Sequence, residues 1–161
     1  MPKLVSYKNS TSQSDDWTLI SDTDALPEDL TKVLLPLEVF LENTDKFDKC
    51  GVWLSSDQDV YALAKVLDKL SVVACDFQTF MDGRSFSQAR ILREHIEFSG
   101  DIRAVGHFIQ DQMHYMLRCG FNEFSVPDDA DEVSIQESLA DFSESYQAAC
   151  DVPAPLFRRR A

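Results

Sequence analysis

The chain has 161 residues, enough for one domain with a real core, and 44% of them are hydrophobic, an ordinary share for a globular protein. Its 28 carboxylates outweigh 15 lysines and arginines, giving a net charge of −13 and a pI near 4.4. A field of that sign repels phosphate backbones, which excludes nucleic acid as the expected partner, and it either suits a basic protein surface or simply confers solubility.

The N-terminal MPKLVSYKNSTSQ has no apolar stretch of signal-peptide length, and no run approaches the roughly 18 apolar residues of a membrane span. Cys50, Cys75, Cys119 and Cys150 are far apart, with no CxxC and no zinc-ligand spacing. Without an export signal they read as reduced thiols, and the cytoplasm is the expected compartment.

In chain order, 3–8 and 16–20 are short β-prone runs separated by the polar, turn-forming Asn9 to Asp15, which predicts a hairpin or edge ribbon. Residues 21–30 are a polar, acidic connector, and 33–35 a short buried strand. Pro36 can open a helix, because its missing N–H would be unpaired there, and Leu37, Phe40 and Leu41 form that helix's apolar stripe. Gly51 opens another strand. Ser55, Ser56 and Asp57 then offer caps to a helix over about 58–69 with Val60, Leu63, Ala64, Leu67 and Leu70 inward. The run 72–76 is a near-continuous apolar strand, as expected where both sheet faces are covered. A helix over about 85–97 places Ser85, Ala89, Leu92 and Ile96 inward, and pairs Arg90 with Glu94 and Arg93 with Glu97 on its outer face. A strand over 102–105 exits at Gly106 into a helix over 107–118 that Cys119-Gly120 ends, and another strand follows over 121–126. An acidic loop leads to an amphipathic helix over 133–146 on Val133, Leu139, Phe142 and Tyr146.

Strand and helix thus alternate about five times with short connections, which predicts an α/β fold: a mainly parallel sheet of about five βα units with an N-terminal β-ribbon. A three-layer open sheet is the first expectation. A half or incomplete (βα) barrel is the alternative, since strand order cannot be read from one sequence. The expected domain spans 1–148, with a disordered tail over 149–161.

Ligands of parallel α/β sheets gather at the carboxyl ends of the strands. The richest such end is Asp76 to Ser85, with two carboxylates, Gly83 and Arg84 leading into a helix N-terminus. Backbone N–H groups and the helix dipole there, joined by Arg84, Ser85 and Ser87, would hold an oxyanion such as phosphate, sulfite or a carboxylate. The same residues have a plainer use, which composition favours: Asp82-Gly83 makes the turn, Ser85 or Asp82 caps the helix, and Arg84 pairs with Asp82. Arg103 lies inside an apolar strand and needs a carboxylate, with Asp76 the natural candidate for a salt bridge or a shared ligand site. His107, Asp111, His114 and Arg118 fall on one helix face, opposite Ile109, Met113 and Met116. A solvated face is favoured over a metal site, so no metal is assigned. Neither Cys75 nor Cys119 makes a convincing nucleophile. There is no GxGxxG, Walker loop, GxSxG or iron–sulfur cysteine set, so no cofactor and no catalytic residue is assigned.

The block Phe80-Met81-Asp82-Gly83-Arg84-Ser85-Phe86-Ser87-Gln88-Ala89-Arg90-Ile91-Leu92-Arg93 resembles one family closely. So do Arg103-Ala104-Val105-Gly106 with Asp111-Gln112, and Arg118-Cys119-Gly120-Phe121. It is similar to an uncharacterised bacterial family, a domain of unknown function commonly encoded beside assimilatory sulfite reductase and often labelled an oxidoreductase. The likeness runs from Asp16-Trp17 to about Tyr146. It implies a role in reducing sulfite for cysteine synthesis, with sulfite reductase or its electron donor as partner, and it implies no mechanism. The residues it carries over are Asp82, Gly83, Arg84, Ser87, Gln88, Arg90, Arg103, Gly106, Asp111, Gln112, Arg118 and Gly120. The chain departs from the family's expected pattern at His107 and His114. A small oxyanion-binding enzyme or oxidoreductase of the same pathway is the alternative.

Overall fold

The computed structural model describes residues 2–7, 11–20 and 32–159; the connector 21–30 and the last two residues of the expected tail lie outside them. Its strands are β1 (Lys3–Ser6), β2 (Thr11–Ser14), β3 (Thr18–Leu19), β4 (Val33–Pro36), β5 (Cys50–Leu54), β6 (Leu70–Phe77), β7 (Asp101–Gly106) and β8 (Glu123–Val126). They form one sheet in the order β2-β1-β8-β7-β6-β5-β4-β3. From β3 to β8 neighbours run parallel, and only β1 pairs antiparallel, with β2 and β8.

Sequential parallel strands joined by crossovers of one hand return every connection over the same face. The helices α1 (Leu37–Glu42), α2 (Arg84–Glu94), α3 (Met113–Cys119) and α4 (Glu132–Leu139) accordingly share one core with the strands. Phe40, Ala89, Leu92, Met113, Met116, Ile135 and Leu139 pack there against Leu35, Val52, Leu54, Val73, Cys75, Phe77, Ile102, Ala104 and Phe124. The result is a mixed α/β fold whose mostly parallel sheet curls as a half-barrel. The half-barrel alternative therefore fits, and the three-layer sheet is corrected. The apolar run of β6 misled because its inner face is indeed covered, but by side chains: Val72 and Ala74 cluster with Leu34 and Val105 under Trp17 and Trp53.

The strand count, eight among the described residues, and the N-terminal ribbon also differ from the expectation. The partner of β1 is β2, with Lys3 opposite Ser14, whereas Thr18–Leu19 crosses to the far edge and pairs with β4. The segment read as a helix over 58–69 forms two 3-10 turns, Val60–Leu63 and Leu67–Lys69. Asp59, not Ser55, Ser56 or Asp57, caps the first by accepting the Tyr61 N–H. Val60, Leu63 and Leu70 are buried as expected, but Ala64 is exposed and Leu67 only half-buried, so the apolar spacing overstated both the helix and its inward face.

The helix over 107–118 starts later, as a 3-10 turn over Gln110–Gln112 that runs into α3, which leaves His107 outside it and Ile109 46% exposed. Gly120 ends α3 in the left-handed region at φ 109°, where glycine is favoured. The last long helix stops at Leu139, and its buried face is Ile135 and Leu139, while Val133, Phe142 and Tyr146 are exposed. Of the expected tail, Cys150 N–H donates to the Arg118 carbonyl at 3.1 Å, and a short helix α5 spans Leu156–Arg159.

Candidate functional site

The β6 exit is organised by Asp82. Its carboxylate accepts from Arg84 Nε at 2.9 Å and Nη2 at 2.7 Å, from the Arg84 backbone N–H at 3.1 Å, and from Ser56 Oγ at 2.5 Å. Arg84 Nη2 also donates to Ser56 Oγ at 3.1 Å. Gly83 is the N-cap residue of α2 and makes no side-chain cap. The hydrogen bonds from Arg84 and Ser56 hold the Asp82 carboxyl well below the ordinary carboxylate range. The charge of Arg84 is thus met in place by a carboxylate, which is the plainer of the two uses weighed for these residues.

Below this loop Ser85 is buried and its hydroxyl donates to the Asp76 carbonyl at 2.7 Å. Gln88 is also buried; its amide nitrogen donates to the Ser55 carbonyl at 2.8 Å and the Gln58 carbonyl at 3.1 Å. These bonds bind α2 to the ends of β5 and β6 and fix the loop between them. Ser87 is exposed on α2.

Asp76, the residue before the last of β6, lies on the inner face. Trp53 hydrogen-bonds its carboxylate, yet desolvation dominates and raises its pKa. Gly106, beside it on β7, has φ 88°, and a Cβ there would press on Asp76 Oδ1 and the Phe77 carbonyl at 2.5 Å. Glycine is therefore required both for backbone conformation and for space.

Arg103 is not the partner of Asp76. It is fully buried on the inner face, with Nη1 3.1 Å from Asp15 and Nη2 2.9 Å from Glu123, and Trp17 lies over it at 5.0 Å. Glu123 stands opposite Arg103 in the β7–β8 register, and Ser125 Oγ donates to Asp15 at 3.1 Å. Desolvation raises the Glu123 carboxyl even with Arg103 beside it.

The other predicted residues do not gather here. Asp111 is exposed in the 3-10 turn, and Gln112 accepts the Ile109 N–H at 3.2 Å through its side chain. His114 faces the Leu139 carbonyl at 3.3 Å and the Phe142 ring, and Arg118 pairs with Asp151 at 3.0 Å. Among the described residues no group of three or more His, Cys, Asp and Glu side chains could hold a metal ion. Arg90 pairs with Glu94 at 3.0 Å as expected, but Arg93 turns inward instead of pairing with Glu97. It donates to the carbonyls of Gly120 at 3.0 Å, Phe98 at 2.6 Å and Gly100 at 2.7 Å, and to Asn122 at 3.0 Å.

Sequence reading missed Ser56 as a member of the Asp82 cluster, and Asp15, Trp17 and Glu123 as the setting of Arg103. Glu123 carried the same signal as Arg103, a charge inside an apolar strand. Asp15 carried none, because it is remote in sequence.

The carboxyl edge of the sheet is acidic and partly apolar. Its exit loops carry Asp57 and Asp59 after β5, Asp82 after β6, Asp111 after β7, and Asp128, Asp129 and Asp131 after β8. Among them Met81 is 87%, Phe80 50% and Ile109 46% exposed, on the exits of the adjacent strands β6 and β7. Among the described residues no helix is long and apolar enough to cross a membrane.

A model of the family described as "Bacterial protein of unknown function (DUF934)" matches residues 51–157, from β5 to α5. The match covers most of the chain, and the chain belongs to that family. No curated protein and no solved structure matches it.

Proposed function

We propose that this member of the DUF934 family is an accessory protein of assimilatory sulfite reduction, serving sulfate assimilation and cysteine biosynthesis in the cytoplasm. It docks on sirohaem sulfite reductase or its electron donor and aids assembly or electron delivery. The pathway rests on the resemblance carried by the block from Phe80 to Arg93. The docking mode rests on one observation: apolar Phe80, Met81 and Ile109 stand exposed within an acidic rim at the sheet's carboxyl edge. Apolar anchors bordered by charge of one sign fit a partner with an apolar patch bordered by basic residues.

A second reading makes the Arg84 loop an oxyanion site of a small enzyme. The favouring feature is an arginine, its side chain 58% exposed, at the N-terminus of α2. Against it, Asp82 already takes two of its donors, and carboxylates surround the loop.

The test is a pull-down of the tagged protein from cells growing on sulfate as sole sulfur source, followed by mass spectrometry. Co-elution of sulfite reductase or its electron donor supports docking. Their absence, together with sulfite binding that Arg84→Ala abolishes in purified protein, would move the function to the loop.

A further inference from the structure

The four cysteines do not share one environment. Cys75 is fully buried in β6, and Cys50 in β5 is likewise closed off. Cys119 ends α3 and is 4% exposed, while Cys150 is half-buried in the segment that folds back over α3.

The backbone brings these last two together. Cys150 N–H donates to the carbonyl of Arg118, the residue before Cys119, at 3.1 Å. The standard dimensions of one peptide unit and one N–Cα bond, added to that hydrogen bond, leave the two Cα atoms at most about 7.4 Å apart, and less for any bent path. A disulfide spans about 4.4–6.8 Å between Cα atoms. The side chains share a setting as well. Cys150 Sγ lies 3.7 Å from Glu94 Oε1, and the Arg90–Glu94 ion pair acts on both thiols. A surface cavity of about 370 Å³ opens here, lined by Arg90, Arg93, Glu94, Cys150 and Pro153.

We propose that Cys119 and Cys150 are a redox-modification site that closes to an intramolecular disulfide by exchange with an anionic low-molecular-weight disulfide such as oxidised glutathione. Cys150, the more accessible thiol, loses its proton and attacks one glutathione sulfur. A mixed disulfide forms and one glutathione thiolate leaves. The Cys119 thiolate then attacks Cys150 sulfur, expelling the second glutathione thiolate. Two protein thiols are oxidised, one glutathione disulfide is reduced, and the two protons end on the two glutathiones.

Burial and the neighbouring Glu94 push the Cys150 thiol up to about 11, and burial also raises Cys119. The attacking species is the thiolate, so the site is slow at neutral pH and accelerates about tenfold per pH unit. Closure would lock the segment that Arg118 holds through Asp151 and the Gln147 carbonyl.

The experiment incubates the full chain with oxidised glutathione at about pH 7 and about pH 9 and follows intact mass and non-reducing peptide maps. The expected product has lost two hydrogens, contains a linked Cys119–Cys150 peptide, and forms on the order of a hundredfold faster at the higher pH. Cys119→Ser is expected to stop at one glutathionyl group on Cys150, and Cys150→Ser to stay unmodified at Cys119. A stable mixed disulfide in the parent chain, a link between two chains, a bond to Cys50 or Cys75, or no reaction at either pH would each overturn the proposal. The parent chain's own product decides the matter even where a variant folds poorly.

Discussion

Arg103→Ala removes the guanidinium that bridges Asp15 and Glu123 on the inner face of the sheet. The parent arginine is fully exchanged out of water, and both partner side chains are close to buried, at 9% and 11% exposure. Deleting one member of such a buried cluster strands the others, at a cost of about 3–5 kcal/mol. Trp17 also loses the cation beneath it, worth about 1 kcal/mol. Against a total stability of about 5–15 kcal/mol the variant is markedly weakened, and its urea midpoint should fall by roughly 1–3 M. Acid relieves part of this. Glu123 already has a folded pKa above its ordinary value of 4.5, so the group favours the fold most when protonated, below its unfolded pKa, and this contribution is lost as pH rises through the folded pKa. Without Arg103 the folded pKa rises further, so the penalty at pH 7 should exceed that at pH 5. Urea unfolding followed by circular dichroism at both pH values reads this directly. A cost under about 1 kcal/mol at pH 7, or one that does not shrink at pH 5, would refute the reasoning that the cluster is a buried, desolvated tie between strands.

Arg93→Ala should cost about 2–4 kcal/mol in urea unfolding, because four acceptors around the Phe98–Gly100 and Gly120–Asn122 turns lose a charged donor. Arg93→Lys should recover only part, since one ammonium cannot reach the same fan of acceptors. The Asp82 carboxyl should titrate by NMR well below the ordinary carboxylate range and move back toward it in Arg84→Ala; the stability it supplies is present above its unfolded pKa and lost as pH falls through the folded one. Gly106→Ala should destabilise by about 1–3 kcal/mol in thermal unfolding, because φ 88° and contact with Asp76 and the Phe77 carbonyl both oppose a Cβ.

What the sequence showed clearly was local. The strands of β5, β6 and β7, the turn at Asp82-Gly83, the Arg90–Glu94 pair and the glycine stop after Cys119 each depend on neighbours within a few residues. What it hid was register and long range. Asp15 meets Arg103 across 88 positions, a contact no periodicity reports. Arg93 fits an outer i,i+4 pair by spacing, yet the turns over 98–100 and 120–122 close around it and supply better acceptors. The same limit applies to layers: continuous apolarity in β6 shows that both faces are covered, and only the strand order shows that helices cover one of them. In the candidate site, Asp82, Arg84, Ser85 and Gln88 do come together, but the partner that joins Asp82 and Arg84, Ser56, arrives from β5 through the fold.

The most direct measurement of the proposed function is calorimetric titration of the purified chain into sirohaem sulfite reductase and, separately, into its electron donor, at low and high salt, with Met81→Asp as the matched variant. Docking through the acidic, apolar-centred edge predicts a dissociation constant on the order of micromolar with one of the two, weakened by salt and lost in Met81→Asp. Heat of binding absent from both titrations, or binding indifferent to salt and to Met81→Asp, would contradict it.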